Sequence, residues 1–194
     1  MSHAGEIVGV LLAAGKGLRF GADKLLHPLA DGMPMAVAAA RNLRVACDRS
    51  LAVLRPEQRQ LAELLSAEGL SIVYATDAEF GMGHSLAAGI RASPDAGGWV
   101  IALADMPFLR PGTIAAVVDA LRARAIIAAP IKDGRRGHPV GFSSVCFDAL
   151  AALSGDQGAR SLLTAQPDRV TGIVCDDPGI FRDLDTPEDL LTDR

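Results

Sequence analysis

A chain of 194 residues is long enough to bury a substantial core, and its 49% apolar and 22% charged residues are those of a folded globular protein rather than a disordered one. Its net charge of −4 excludes broad non-specific attachment to nucleic acid but is compatible with a local basic pocket.

In chain order, strands are expected at 7–12, 51–54, 71–74, 99–103, 126–129, 140–142, 170–174 and 180–184. Helices are expected at 34–46, 57–68, 85–92, 111–124, 145–153 and 158–165, with a final turn from Pro187. Short apolar runs alternating with amphipathic segments imply β-α-β crossovers and a mostly parallel sheet covered on both faces. Pro34, Pro111 and Pro187 suit first-turn positions, Thr186 an N-cap, and Gly69 a helix stop. The loop-rich stretch 133–156 leaves room for a small antiparallel excursion. No repeat or linker interrupts the chain, so one domain over 1–194 is expected. Cys47, Cys146 and Cys175 are widely spaced, form no C-x-x-C pair and read as buried thiols of a reducing compartment. The polar start, 1–6, has no apolar signal core and no later run is long enough to span a bilayer, so the expectation is a cytoplasmic protein with no membrane and no nucleic-acid partner.

The first strand breaks into small residues, Leu12-Ala13-Ala14-Gly15 and then Gly17, followed by Arg19 and Lys24. Bare amides beside fixed cations suit a polyphosphate, although a tight turn with solvated cations uses the same letters. The spacing Gly15-x-Gly17-x-x-x-Gly21 departs from a dinucleotide fingerprint, and the second strand ends in Leu54-Arg55-Pro56 where a ribose-binding carboxylate belongs. A Walker A loop is absent as well. Asp105, after the strand at 99–103, suits Mg²⁺ held with phosphate oxygens, or equally a turn before Met106-Pro107. Asp183 and Asp185 sit at i and i+2 on an expected extended segment, one of them placed to complete a metal site with Asp105, while Thr186, Glu188 and Asp189 suit helix capping. Gly81-Met82-Gly83-His84-Ser85 puts glycines and amides before a helix. Arg135, Arg136, His138 and Arg160 would make an anion-binding rim or a solvated basic loop.

Taken together, these pieces resemble the MobA-like nucleotidyltransferases, most closely the molybdenum cofactor cytidylyltransferase branch. The matching stretches are L-A-A-G-K-G-L-R-F-G-A-D-K-L (12–25), G-M-G-H-S-L (81–86), L-A-D-M-P (103–107), R-R-G-H-P-V (135–140), G-D-Q-G-A-R (155–160) and D-L-D-T-P-E-D-L (183–190), in the family's order. The resemblance implies a three-layer α/β/α Rossmann-like nucleotidyltransferase fold with a mostly parallel mixed sheet. It also implies transfer of CMP from CTP to molybdopterin with release of pyrophosphate, Ala14 in place of a second glycine favouring the cytosine branch. Carried onto this chain, Arg19, Lys24 and Asp105 are the expected catalytic residues. Leu12, Ala13, Ala14, Gly15, Gly17, Arg19, Lys24, Gly81, Gly83 and Ser85 are expected to bind the nucleotide, and His138, Pro139, Asp156 and Arg160 the acceptor. Asp105, Asp185 and Asp183 are the expected ligands of Mg²⁺ or Mn²⁺. A molybdoenzyme receiving the cofactor is the implied protein partner. Three other readings stay open: a nucleotidyltransferase using GTP or a sugar phosphate, an NAD(P)-dependent oxidoreductase, and a nucleotide-binding cofactor-delivery chaperone.

Overall fold

The computed structural model describes residues 5–15 and 24–190. Its strands are β1 (Ile7–Leu12), β2 (Arg49–Leu54), β3 (Ser71–Tyr74), β4 (Gly98–Leu103), β5 (Ile127–Lys132), β6 (Arg135–Arg136), β7 (Val140–Ser143) and β8 (Val170–Val174). The helices are α1 (Met35–Arg44), α2 (Arg59–Ala67), α3 (Met82–Arg91), α4 (Pro111–Arg122), α5 (Phe147–Ala151) and α6 (Arg160–Ala165).

Every residue of β1 is buried, because this strand lies between β2 and β4 and is covered by helices on both faces. Ile7 and Leu11 face one core, shared with Leu43 of α1, Leu61 and Leu65 of α2 and Val117 of α4. Val8, Val10 and Leu12 face the other, with Leu86 and Ile90 of α3, Leu150 of α5 and Leu163 of α6. This alternation along one strand produces the three layers.

β3, β2, β1 and β4 are mutually parallel. The expected antiparallel excursion occurs at 133–143: Asp133 and Gly134, both at positive φ, turn β5 back into β6. An Asp-Gly pair is the turn that a two-residue hairpin favours. β7 then runs antiparallel to both β4 and β5, and β8 pairs β5 in parallel. The β4–β7 register sets Ile101 against Val140. The start of β7, with His138 just before it, therefore lies beside the carboxyl end of β4. Ligands of open α/β sheets bind at such ends.

One expected strand is absent. Residues 180–184 form no strand; a 3-10 turn, Pro178–Phe181, precedes an irregular segment. The carboxylate of Asp177 dictates that turn, accepting from the amides of Gly179 (2.8 Å) and Arg110 (2.9 Å) and from the Thr113 hydroxyl (2.6 Å). Ile180 and Leu184 are buried as single anchors, which imitates strand alternation in the sequence. Other boundaries move by a few residues: α2 begins at Arg59, α3 already at Met82, and the expected helix at 145–153 divides into a 3-10 turn, Ser144–Cys146, and the short α5.

The cysteines are free and only partly buried, less enclosed than expected. Burial, with help from Asp48, nevertheless pushes the Cys47 thiol up to about 12. Little of the Cys47 thiol is then in the reactive thiolate form at pH 8. A thiol-exchange reagent at pH 8 should leave Cys47 unmodified in the native protein and label it after unfolding, as peptide mass analysis would report. Leu43, with no exposed surface, packs against the middle of β1 at Gly9 and lines neither cavity described below. Leu43→Ala should cost about 2–5 kcal/mol in urea unfolding.

Candidate active site

The loop after β1 leaves the sheet when the Ala13 amide donates to Val53 (3.0 Å). Its next carbonyls turn toward the β2–α2 connection. The Gln58 amide donates to the Ala13 carbonyl (3.0 Å), and Nη1 of Arg55 donates to the carbonyls of Ala14 (2.6 Å) and Gly15 (2.7 Å). Gln58 is itself fixed by accepting from the Arg55 amide (2.7 Å), and Arg55 by Glu57 (2.7 Å).

Lys24 opens the next described segment and is only 7% exposed. Its ammonium donates to Oδ2 of Asp105 (2.9 Å) and to Oδ1 of Asp185 (2.7 Å). Burial draws its pKa down, but the hydrogen bonds to Asp185 and Asp105 outweigh that pull and the net shift is upward, so Lys24 remains charged. Asp105 follows β4 directly; the Ala104 amide extends the sheet to the Leu12 carbonyl (3.1 Å). Asp185 is brought back from the tail by the Leu184 amide, which donates to the Asp105 carbonyl (3.0 Å). The Asp189 carboxylate then fixes the backbone by accepting from the amides of Asp185 (2.9 Å) and Thr186 (2.7 Å). The capping role expected of 186–189 thus falls mainly on Asp189, and it also positions Asp185.

Two cavities adjoin. The first, of about 310 Å³, is lined by Leu12, Ala14, Gly15, Ala78, Glu79, Gly81, Met82, Ser85, Leu103, Asp105 and Asp156. The second, of about 500 Å³, has an apolar floor of Leu86, Ile101, Val140, Phe142 and Leu163 and a polar rim of Arg136, His138, Gln157 and Arg160. Leu12, Met82, Leu103 and Asp156 border both.

The geometry sorts the expected residues. Leu12, Ala14, Gly15, Gly81, Ser85 and Asp105 line the first cavity, and His138, Asp156 and Arg160 line the second. Gly83 lines neither, since its amide donates to the Gly155 carbonyl (2.7 Å) and a Cβ on it would meet the Ser154 carbonyl oxygen at 2.6 Å. Its smallness lets the start of α3 close on the 154–156 loop that delivers Asp156. Ala13, Lys24 and Pro139 likewise line neither cavity. Asp183, an exposed residue, is not brought onto Lys24 with Asp105 and Asp185; its charge instead acts on His138. Gly17 and Arg19 lie outside the described residues.

Sequence reasoning passed over Arg55, Gln58, Glu79 and Gln157. The polar stretch after the second strand is the available signal for Arg55 and Gln58.

A nucleotide-sized cavity at the ends of β1 and β4, walled by a small-residue loop and a strand-end carboxylate beside a buried lysine, marks a nucleotidyltransferase of Rossmann-like fold. The chain belongs to the MobA-like NTP transferase domain family, whose model matches residues 9–170. It is 35% identical to purine catabolism protein PucB of Bacillus subtilis, covering 94% of this chain and 93% of that protein. Nicotine blue oxidoreductase of Paenarthrobacter nicotinovorans is 32% identical (95% and 94% covered), and a molybdenum cofactor guanylyltransferase of Cupriavidus pinatubonensis 31% (96% and 96%). Among solved structures, Rv0371c of Mycobacterium tuberculosis superposes with a TM-score of 0.83 at 29% identity over 98% of both chains. A manganese complex of Rv0371c superposes at 0.80, with 29% identity over 97% of this chain and all of that one.

The residues here fit a divalent cation. Oδ1 of Asp105 is a buried hard oxygen with no hydrogen-bond partner among the described residues. No cluster of three or more His, Cys, Asp or Glu ligands exists among the described residues, so such an ion would need substrate or water oxygens to complete its shell. No described helix is long and apolar enough to cross a membrane.

Burial holds His138 below its ordinary value of 6.5, against the opposing charges of Asp105 and Asp183. The unfolded chain therefore takes up this proton first, and the stability that neutral His138 contributes is complete above pH 6.5 and declines below it. Urea midpoints measured from pH 7.5 to 5.5 should fall more steeply for the native sequence than for His138→Gln.

Proposed function

We propose that this protein is a cytoplasmic nucleotidyltransferase that transfers CMP from CTP to a molybdopterin-type acceptor, releasing pyrophosphate, and that the product passes to a molybdoenzyme. The observation that carries the reading is the pair of cavities meeting on Leu12, Met82, Leu103 and Asp156. A nucleoside triphosphate in one and an acceptor in the other bring donor and acceptor phosphates to a shared wall. Neither nucleic acid nor a membrane takes part.

In the first cavity the amides of Ala14 and Gly15, with Gly17 beyond them, cradle the triphosphate. Glu79 accepts from an exocyclic amine of the base, which suits cytosine, guanine or adenine and disfavours uracil. Ala14 lines this cavity where the guanylyl branch is expected to carry glycine, and its methyl supports the smaller base. In the second cavity the apolar floor takes a flat heterocycle, while Arg160, Arg136 and neutral His138 face its phosphate and polar edge.

An oxygen of the acceptor phosphate attacks the α-phosphorus of CTP in line, one P–O bond forms, and the bond to the β-phosphate breaks. No protein nucleophile is needed, and rate enhancement comes from positioning and charge stabilisation. Lys24 and Arg19 offset charge on the bridging and leaving oxygens. Asp105, assisted by Asp185, would hold Mg²⁺ or Mn²⁺, and such an ion would supply positive charge to phosphate oxygens. The manganese complex of Rv0371c supports a divalent ion.

The name of the P. nicotinovorans relative raises an oxidoreductase reading. Against it, Arg55 stands at the end of β2 with its guanidinium on the loop carbonyls, where a dinucleotide site places a ribose-binding carboxylate.

The test incubates the protein with CTP, GTP, ATP or UTP, Mg²⁺ or Mn²⁺, and molybdopterin, measuring pyrophosphate release and product mass. A cytosine dinucleotide form is the expected product. Absence of pyrophosphate with every triphosphate, together with saturable NADH binding, would overturn the reading. Lys24→Ala and Asp105→Ala should each lower turnover by about 10²–10³-fold with the circular dichroism spectrum unchanged.

A further inference from the structure

We infer that Arg55 and Gln58, from the connection between β2 and α2, are positioning residues that set the polarity of the anion-binding loop. The inference rests on the proposed phosphate role of that loop and adds what gives the loop its orientation. Three successive carbonyls, those of Ala13, Ala14 and Gly15, are engaged by these two side chains. In a planar trans peptide the N–H points opposite to the C=O. Holding the Ala13 and Ala14 carbonyls toward Arg55 and Gln58 therefore directs the amides of Ala14 and Gly15 the other way, and these two residues line the first cavity.

Neither Arg55 nor Gln58 lines that cavity, so their effect on a ligand is exerted through the loop. Gln58 is 6% exposed and uses both ends of its amide: the carbonyl accepts from the Arg55 backbone and the NH₂ donates to Ala13. Arg55 spans two carbonyls with one nitrogen while Nε is held by Glu57 (2.7 Å). A lysine in its place offers a compact point charge without that planar fork. A small-residue loop left to itself samples many peptide orientations. Side-chain donors on its far side select one of them before the anion arrives, which lowers the ordering cost of binding.

Inorganic tripolyphosphate with Mn²⁺ is the probe, because it needs neither a base nor an acceptor; a wrong assignment of CTP or molybdopterin leaves this experiment intact. Titration calorimetry should show Arg55→Met weakening tripolyphosphate by about 10- to 100-fold, the range for hydrogen bonds involving a charged group. Arg55→Lys should restore only a minor part of the loss, and Gln58→Leu should act in the same direction. In the CTP reaction Arg55→Met should raise the KM for CTP with kcat within about threefold, the signature of lost uniform binding. Thermal midpoints should stay within a few degrees of the native protein. In the ligand-free variants, the NMR carbonyl shifts of residues 13–15 should move, reporting reoriented peptides. Native tripolyphosphate affinity in Arg55→Met, full rescue by Arg55→Lys, unmoved carbonyl shifts, or a loss that tracks only a lowered thermal midpoint would each overturn the inference.

Discussion

The buried ammonium of Lys24 is the tie on which the site depends. It joins residues 24, 105 and 185, which have no sequence proximity, at 2.9 and 2.7 Å. Removing a lysine from water is costly unless carboxylates meet it. Both carboxylates therefore have to be delivered with the right geometry, and much of the surrounding backbone does so. Asp105 is held just past the end of β4, which pairs with β1 along its whole length, and Asp185 by a tail that is anchored separately.

That return is built from polar contacts rather than from a strand. Asp177, 2% exposed, gathers the start of α4 and the following turn around one carboxylate. The Arg182 guanidinium lies 4.0 Å from the centre of the Phe108 ring, and the His138 amide donates to the Ile180 carbonyl (2.9 Å). The tail is consequently stitched both to the segment after β4 and to the entry of β7. Ile180 and Leu184 complete the attachment from the apolar side. One segment thereby fixes Asp185 and the placement of His138.

The layered fold was readable because β1 and β4 are buried on both faces and so are written as continuous apolar runs. The antiparallel excursion was foreshadowed by its turn-rich composition, and the Asp133-Gly134 pair was available to locate its hairpin. Residues 180–184 misled because two isolated anchors mimic alternation, while the Asp177 carboxylate that bends the chain has partners 64 and 67 positions away. The convergence of Lys24, Asp105 and Asp185 was legible from strand-end logic, and the separation of Asp183 from that cluster was not, since an extended segment would have kept both carboxylates on one side. Gly83 illustrates a further limit: a glycine before a helix reads equally as an open anion site or as a close approach, and here the neighbouring backbone takes its amide. Arg55 and Gln58 escaped notice because their partners are main-chain carbonyls, which leave no trace in side-chain identity.

The insertion of β7 between β4 and β5 divides the labour of the sheet. Leu12, the 13–15 loop and Asp105 lie at the ends of parallel strands, whereas Arg136, His138 and Phe142 belong to the reversed segment. Changes along that segment reshape the second cavity while the backbone ladder from β3 to β4 is untouched. The first cavity thus leans on the parallel ladder and the second on the reversed segment, so the two pockets of one sheet can vary separately.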